Sequence, residues 1–300
     1  MGSGWKIGDL LRWTADDNGA QEEHFALVSR HPRFAEAARA LSANLMAQAE
    51  ADPAFDGLHK DAGRFIAGCW AMSLHLSGGL TLPRLKETCA RAGIMSPGRA
   101  RSLLQFFLFL HYIEMQPGKE RGAPTRYVPT EAMLNSWGTM IRAGLAAAVI
   151  VEPAVSSVLE RLHEAEVLSQ FMAQLGTSFL PSVIGGPYQQ FMDTFIEPHA
   201  GVQLIDLIVI MGSADKQFPT TRAIPISINA TAQRLRVSRA HIRRLLDRGQ
   251  DEGLLTRQDD GTILLAAPLR STIRYLMALR LSGFIICAAR THVALLGSPP

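Results

Sequence analysis

Three hundred residues, 47% of them hydrophobic, suffice for two domains of ordinary size with real cores, and the three scattered cysteines (Cys69, Cys89, Cys287) argue for a reducing compartment and against a disulfide framework or a zinc site. The net charge of +3 hides alternating blocks: Lys and Arg less Asp and Glu give −4 over residues 1–58, +6 over 59–130, −5 over 131–225 and +6 over 226–300. Two separated basic blocks on an otherwise acidic scaffold are the electrostatic footprint expected of two DNA-facing surfaces. The opening MGSGWKIGDLLRW lacks the apolar core and cleavage site of a secretion signal, and the most apolar runs, LAAAVIV and GFIICAA, are too short to span a bilayer, so a soluble cytoplasmic chain without a membrane partner is expected.

In chain order, residues 1–30 read as an N-terminal arm. Trp5, Ile7, Leu10, Leu11 and Trp13 have the spacing of a short amphipathic helix, which DDNGAQEE then breaks. From Pro32 to Ala51 an alanine-rich helix carries Phe34, Ala38, Leu41, Leu45 and Ala49 on one side, and an almost wholly apolar helix follows from about Asp61 to Leu76. LTLPRLKETCARAG then gives a strand-like start and a helix ended by Gly93. Ser96 and Pro97 supply the N-cap and first residue of the next helix, GRARSLLQFFLFLH. Arg101, Ser102 and Gln105 point outward on it, but so do Phe106 and Phe109, which predicts that its far end packs on another element or a second chain. A long basic loop, Met115 to Val128, carries Lys119, Arg121 and Arg126, and Pro129 leads into a further helix.

Glu152-Pro153 reads as a hinge between halves, which divides the chain into residues 31–152 and 153–300. Residues 155–175 and 188–212 are the helical counterparts of the first scaffold, separated by a loop at PSVIGGP. The forty residues from Ile226 to Leu265 then write out helix, corner, helix and hairpin. Ala230 to Leu235 is helical, Arg236 and Val237 turn the chain, and Ser238 caps RAHIRRLLDRGQDEG, which Gly253 stops. LLTR and TILL are strands joined by the Asp-Gly turn of QDDG. At 100° per residue Ile242, Leu245, Leu246 and Gly249 share a buried face, whereas Arg243 and Arg244 point away from it, flanked by Arg239 and His241.

The two halves repeat. At an offset of 142, Ser96 meets Ser238, Arg101 meets Arg243, Leu103 and Leu104 meet Leu245 and Leu246, and Tyr112 and Ile113 meet Leu254 and Leu255. Beyond the loop an offset of 139 matches Pro129 with Pro268, Leu134 with Ile273, Trp137 with Leu276 and Gly144 with Gly283.

Helix, turn, helix and hairpin in this order resemble the winged helix-turn-helix modules of bacterial transcription regulators, and VSRAHIRRLLDRGQDEGLL is most similar to the recognition-helix region of the MarR and GntR families. Gly249 departs from the family's usual leucine, which predicts a shorter or kinked helix there. The resemblance implies a mainly α fold: two winged-helix modules, each a three-helix core with a small β-hairpin wing, in a helical scaffold with internal pseudo-two-fold symmetry. Because terminal helices form the dimer interface in MarR-type regulators, it also implies an internal pseudo-dimer. The partner so implied is double-stranded DNA, with Arg243 and Arg244 reading base edges and Arg239, His241 and Arg257 in support; Arg99, Arg101, Ser102, Gln105, Lys119, Arg121 and Arg126 serve the first module. Two half-sites about one turn, roughly 10 base pairs, apart are expected if both modules lie on one face of the duplex.

Some MarR regulators hold a small apolar effector between scaffold helices, and Met46, Trp70, Met72, Trp137 and Met140 are the candidates to line such a pocket, although stripes of this kind are commonly core. A homodimer is a further candidate assembly. The competing reading is a tandem winged-helix interaction scaffold of the chromosome-segregation (ScpB) or replication-associated type, favoured by Asp259 and Asp260 at the second wing, by Gly249 and by Phe106 and Phe109. Paired metal ligands, a phosphate-binding glycine loop and a nucleophile elbow are all missing from the sequence, so no metal, cofactor or enzymatic activity is expected.

Overall fold

The computed structural model describes residues 10, 12–14, 18–93, 95–116, 123–178 and 191–296. Lys119, Arg121 and the PSVIGGP loop lie outside them. The described fold is mainly helical, with two small antiparallel sheets of three strands each.

Trp5, Ile7, Leu11 and residues 15–17 also lie outside the described residues. NGAQEE itself opens α1 (Asn18–Arg30), which packs on the C-terminal helix and sets Phe25 against Tyr275 at 4.8 Å. Tertiary contact here overrides weak local propensity. α2 (Phe34–Ala51), α3 (Pro53–His59) and α4 (Ala62–Leu76) follow, with Asp52 and Asp61 accepting N–H bonds at the heads of α3 and α4. β1 (Leu80–Thr81), α5 (Leu82–Arg91), α6 (Pro97–Phe109), β2 (Ile113–Gln116), β3 (Arg126–Pro129) and α7 (Glu131–Ala148) complete the first half. The second half contains α8 (Ser156–Arg161), α9 (Ala165–Ser178), α10 (Gly201–Met211), β4 (Ile224–Pro225), α11 (Ile228–Arg234), α12 (Arg239–Asp251), β5 (Leu255–Arg257), β6 (Thr262–Leu265) and α13 (Ala267–Leu296). The sheets have equivalent strand orders, β1-β3-β2 and β4-β6-β5. In each, a two-residue strand ahead of the helix pair joins the hairpin.

The 142-residue repeat is visible in the packing. Ala100, Leu103, Leu104 and Phe107 are the buried residues of α6, and Ile242, Leu245, Leu246 and Gly249, each 142 further on, are those of α12. Both helices end on a residue in the left-handed region, His111 at φ 56° and Gly253 at φ 66°. The residue after each donates its N–H at 2.8 Å, Tyr112 to Phe107 O and Leu254 to Gly249 O. Past the hairpin the register differs from the expected one. Thr130 N–H bonds Tyr112 O and Ala266 N–H bonds Leu254 O, so the equivalent positions are 136 residues apart rather than 139. Trp137 therefore matches the buried Ile273, and Gly144 and Gly283 are not equivalent. A Cβ on Gly144 would lie 2.1 Å from the Phe284 ring, because α7 and α13 cross there, whereas one on Gly283 would meet nothing within 4 Å.

Gly249 also differs from expectation: α12 runs through it to Asp251 without ending. A Cβ would approach Phe195 Cζ at 2.9 Å and Leu255 Cδ2 at 3.1 Å. The aromatic ring that α6 carries itself as Phe107 is thus delivered to α12 by Phe195 from the short turn of π-helix at Met192–Ile196. Installing the leucine, Gly249→Leu, should lower stability by about 1–2 kcal/mol, overpacking of ~1–3 kcal/mol outweighing a helix-propensity gain of up to ~1 kcal/mol. A lower urea midpoint at unchanged m would show it.

The halves share one core. α2 packs on α7 and α10, and α9 packs on α4 and α13. Glu152, read as a hinge, is instead a buried corner whose Oε2 accepts from Trp13 Nε1 at 3.0 Å. A buried Asp206 on α10 accepts from Ser42 Oγ of α2 at 2.7 Å and from both Nη atoms of Arg280 on α13, at 2.7 and 3.2 Å. GFIICAA belongs to α13, which among the described residues is the one helix long and apolar enough to cross a membrane; 61% of its most apolar window is buried within the protein, which makes it a core helix here.

Candidate nucleic-acid interface

Ser238 accepts the His241 N–H on its side chain at 3.1 Å and so fixes where α12 begins. With Ile242, Leu245 and Leu246 buried, the helix must turn Arg239, Arg243 and Arg244 outward, and all three are exposed. Among the described residues neither Arg239 nor Arg243 has an ion-pair or hydrogen-bond partner through its guanidinium. Arg244 has one long contact, Nη2 to His241 Nδ1 at 3.5 Å. His241 is turned back to the scaffold, its Nε2 lying 2.6 Å from the His199 carbonyl. A carbonyl only accepts, so Nε2 carries the proton and Nδ1 is the acceptor that faces Arg244. His241 thereby positions the first turn of α12 rather than projecting from it.

Arg257 is likewise not free. Its guanidinium pairs with Asp247 of α12, and its N–H donates to Gln250 Oε1 at 3.0 Å. At the tip of the same hairpin Asp260 accepts from the Thr262 side chain and N–H, which hold its carboxyl below the usual range. That tip is therefore anionic and repels phosphate, in keeping with the sequence.

In the first half Ser96 caps α6 by accepting the Arg99 N–H at 3.3 Å. Arg101 and Gln105 are exposed, and Ser102 returns its hydroxyl to Gly98 O at 3.2 Å. Arg99 pairs with Asp61 through Nη2 at 3.2 Å. Arg126, on β3, is exposed and lies against Gly79. The far end of α6 corrects the packing expectation in part. Phe106 lies beneath the Arg64 guanidinium, at 5.4 Å, and beside Gly57, but Phe109 remains 78% exposed and Met115 on β2 62%.

Sequence reasoning missed the residues that hold the second helix pair in place. Arg236 sits in the left-handed region at φ 51° and sends Nη2 to Glu50 O at 2.9 Å and Nη1 to Asp56 at 3.4 Å. Asp56 also binds Lys60 at 2.5 Å and Gln203 at 2.8 Å, so α3 is a buried polar anchor for the second half. His199 has a lowered pKa, first through burial and then through the charges of Lys60, His241 and Arg64. Only the non-glycine at a corner was a local signal for any of this.

The five residues proposed to line an effector pocket are all buried in the common core. Trp137 stacks on Phe65 at 5.6 Å and meets Phe55 edge-on at 5.7 Å. The indole N–H groups of Trp70 and Trp137 are buried without an acceptor. Among the described residues no cluster of His, Cys, Asp and Glu could hold a metal ion. Compared with known proteins, the chain matches no family model, no curated protein and no solved structure.

Proposed function

We propose that the chain is a cytoplasmic, sequence-specific regulator of transcription that binds double-stranded DNA through two non-identical winged helices. The observation that carries this reading is the outward face of α12, where Arg239 and Arg243 stand exposed and unpaired and Arg244 nearly so, at the start of a helix whose opposite face is buried. Guanidinium groups so placed suit phosphate contacts and bidentate recognition of guanine edges in a major groove. The helix–corner–helix–hairpin order of both halves and the crossing of α7 on α13 support two modules joined as a pseudo-dimer. Anisotropy of labelled random-sequence duplex across a salt series tests it. Affinity should fall linearly with log salt concentration, with a slope of about −0.9 for each phosphate neutralised. Absence of binding at low salt would demote the arginines to a solvated face.

One observation favours the interaction-scaffold reading. Phe109 and Met115 occupy the positions that Asp251 and Arg257 hold in the second half, and both are exposed. Sedimentation of the DNA-free protein, and of a Phe109→Ser variant, separates the two: self-association lost in the variant would favour the scaffold.

A further inference from the structure

The two helices read as recognition helices do not stand on separate supports. Arg99, in the first turn of α6, reaches Asp61 at 3.2 Å. The neighbouring Lys60 accepts the Ala200 N–H on its carbonyl at 2.7 Å. His199, one residue earlier, accepts on its carbonyl from His241, in the first turn of α12, at 2.6 Å. Three hydrogen bonds and two peptide steps thus join the two first turns. Even if every link is stretched straight, standard bond lengths keep Cα of Arg99 and Cα of His241 closer than the ~34 Å that separates major-groove faces one turn apart. The link therefore brings the two first turns nearer to each other than the half-site spacing expected from sequence.

The cationic groups between the two first turns are arginines, the His199 pKa being lowered. Arg64 and Arg99, with side chains 43% and 57% exposed, flank the half-buried carboxylate of Asp61, and the exposed His199 continues the seam to Arg244. The one acidic side chain within this chain of contacts is already engaged by Arg99 and approached by Arg64 at 3.9 Å. The members of this chain of contacts include no unpaired carboxylate, and the exposed Glu197 lies two residues before His199 in the chain.

We infer that, in the DNA-binding reading on which this rests, both helices address one continuous stretch of duplex about a turn long, α12 entering the major groove while the start of α6 holds the adjacent backbone through Arg101. The chain then needs no second half-site, and the unequal chemistry of the two helices follows. α12 carries the guanidinium cluster suited to base edges, and α6 offers one free arginine with a hydroxyl and an amide, suited to phosphates.

The test uses the full chain with random-sequence duplexes of about 12 and about 24 base pairs, roughly one and two turns, and reads the salt slope of binding to each. The expected result is the same slope on both lengths, and a decrease of about one in its magnitude for Arg101→Ala on both, the signature of one lost phosphate contact. A full slope reached only on the longer duplex, or an Arg101→Ala effect confined to it, would overturn the inference, because the modules would then lie a turn apart. No effect of Arg101→Ala at either length would overturn it too, leaving α12 as the sole contact. Failure of the wild-type chain to bind either duplex would instead remove the DNA-binding reading itself.

Discussion

Replacing Arg243 and Arg244 together with alanine should reduce affinity for a selected duplex by at least about thirty-fold, since each bidentate base contact is worth ~1–3 kcal/mol and two are lost. The folded state should hardly notice. Both side chains are exposed, Arg243 has no partner, Arg244 has only its 3.5 Å contact to His241, and alanine is the better helix former. An unchanged melting temperature with lost binding is therefore the expected pair of results. Arg257→Ala is the internal control. Its guanidinium is already engaged by Asp247, so its removal should change affinity far less than either α12 substitution, although it lies on the adjacent hairpin. If the double variant keeps full affinity, α12 is not the reading element. If Arg257→Ala matches the double variant, the Asp247 pair opens on binding and the assignment of roles within the module has to be redrawn.

How far these features were legible depends on the range of the forces behind them. Caps were readable because a cap is local: Ser96 and Ser238 bond N–H groups three residues ahead of them. The buried stripes of α6 and α12 were readable for the same reason, as periodicity depends on helix geometry alone. Sequence also placed Arg101, Arg239, Arg243 and Arg244 correctly on the exposed side. What it missed is long-range. The ring against Gly249 comes from Phe195, the partner of Arg99 is 38 residues away, and α1 is helical through contact with a helix near the other end of the chain. The repeat register failed after the hairpin because two prolines and two glycines matched by chance at 139, while the backbone hydrogen bonds that define equivalence follow 136. Two short arginine-bearing segments can thus be read as exposed from sequence, whereas the separation between them cannot.

That separation depends on the α3 corner, and its buried histidine gives the second large expected effect. His59 is stacked near Phe55 and meets Phe65 edge-on. Burial, with the Arg280 charge adding to it and Asp206 and Asp56 opposing, lowers its pKa from 6.5 to about 4. The native state thus resists protonation that the unfolded chain accepts, so between about pH 6.5 and pH 4 the unfolded state binds more protons and stability falls as pH falls. At pH 4 the accumulated loss from this residue is about 3 kcal/mol relative to pH 7, a sizeable part of a typical domain's ~5–15 kcal/mol. His59→Phe keeps an aromatic ring between Phe55 and Phe65 but cannot titrate. Urea unfolding of both proteins at pH 7 and pH 4 should therefore show a smaller acid loss in the variant, by about 3 kcal/mol. His75, His199 and His292, whose pKa values are also lowered, titrate in both proteins and cancel in the comparison. Equal acid losses would mean that His59 is reached by water or protonated in the native state, and the α3 corner would then not be the dry anchor on which the spacing of α6 and α12 depends.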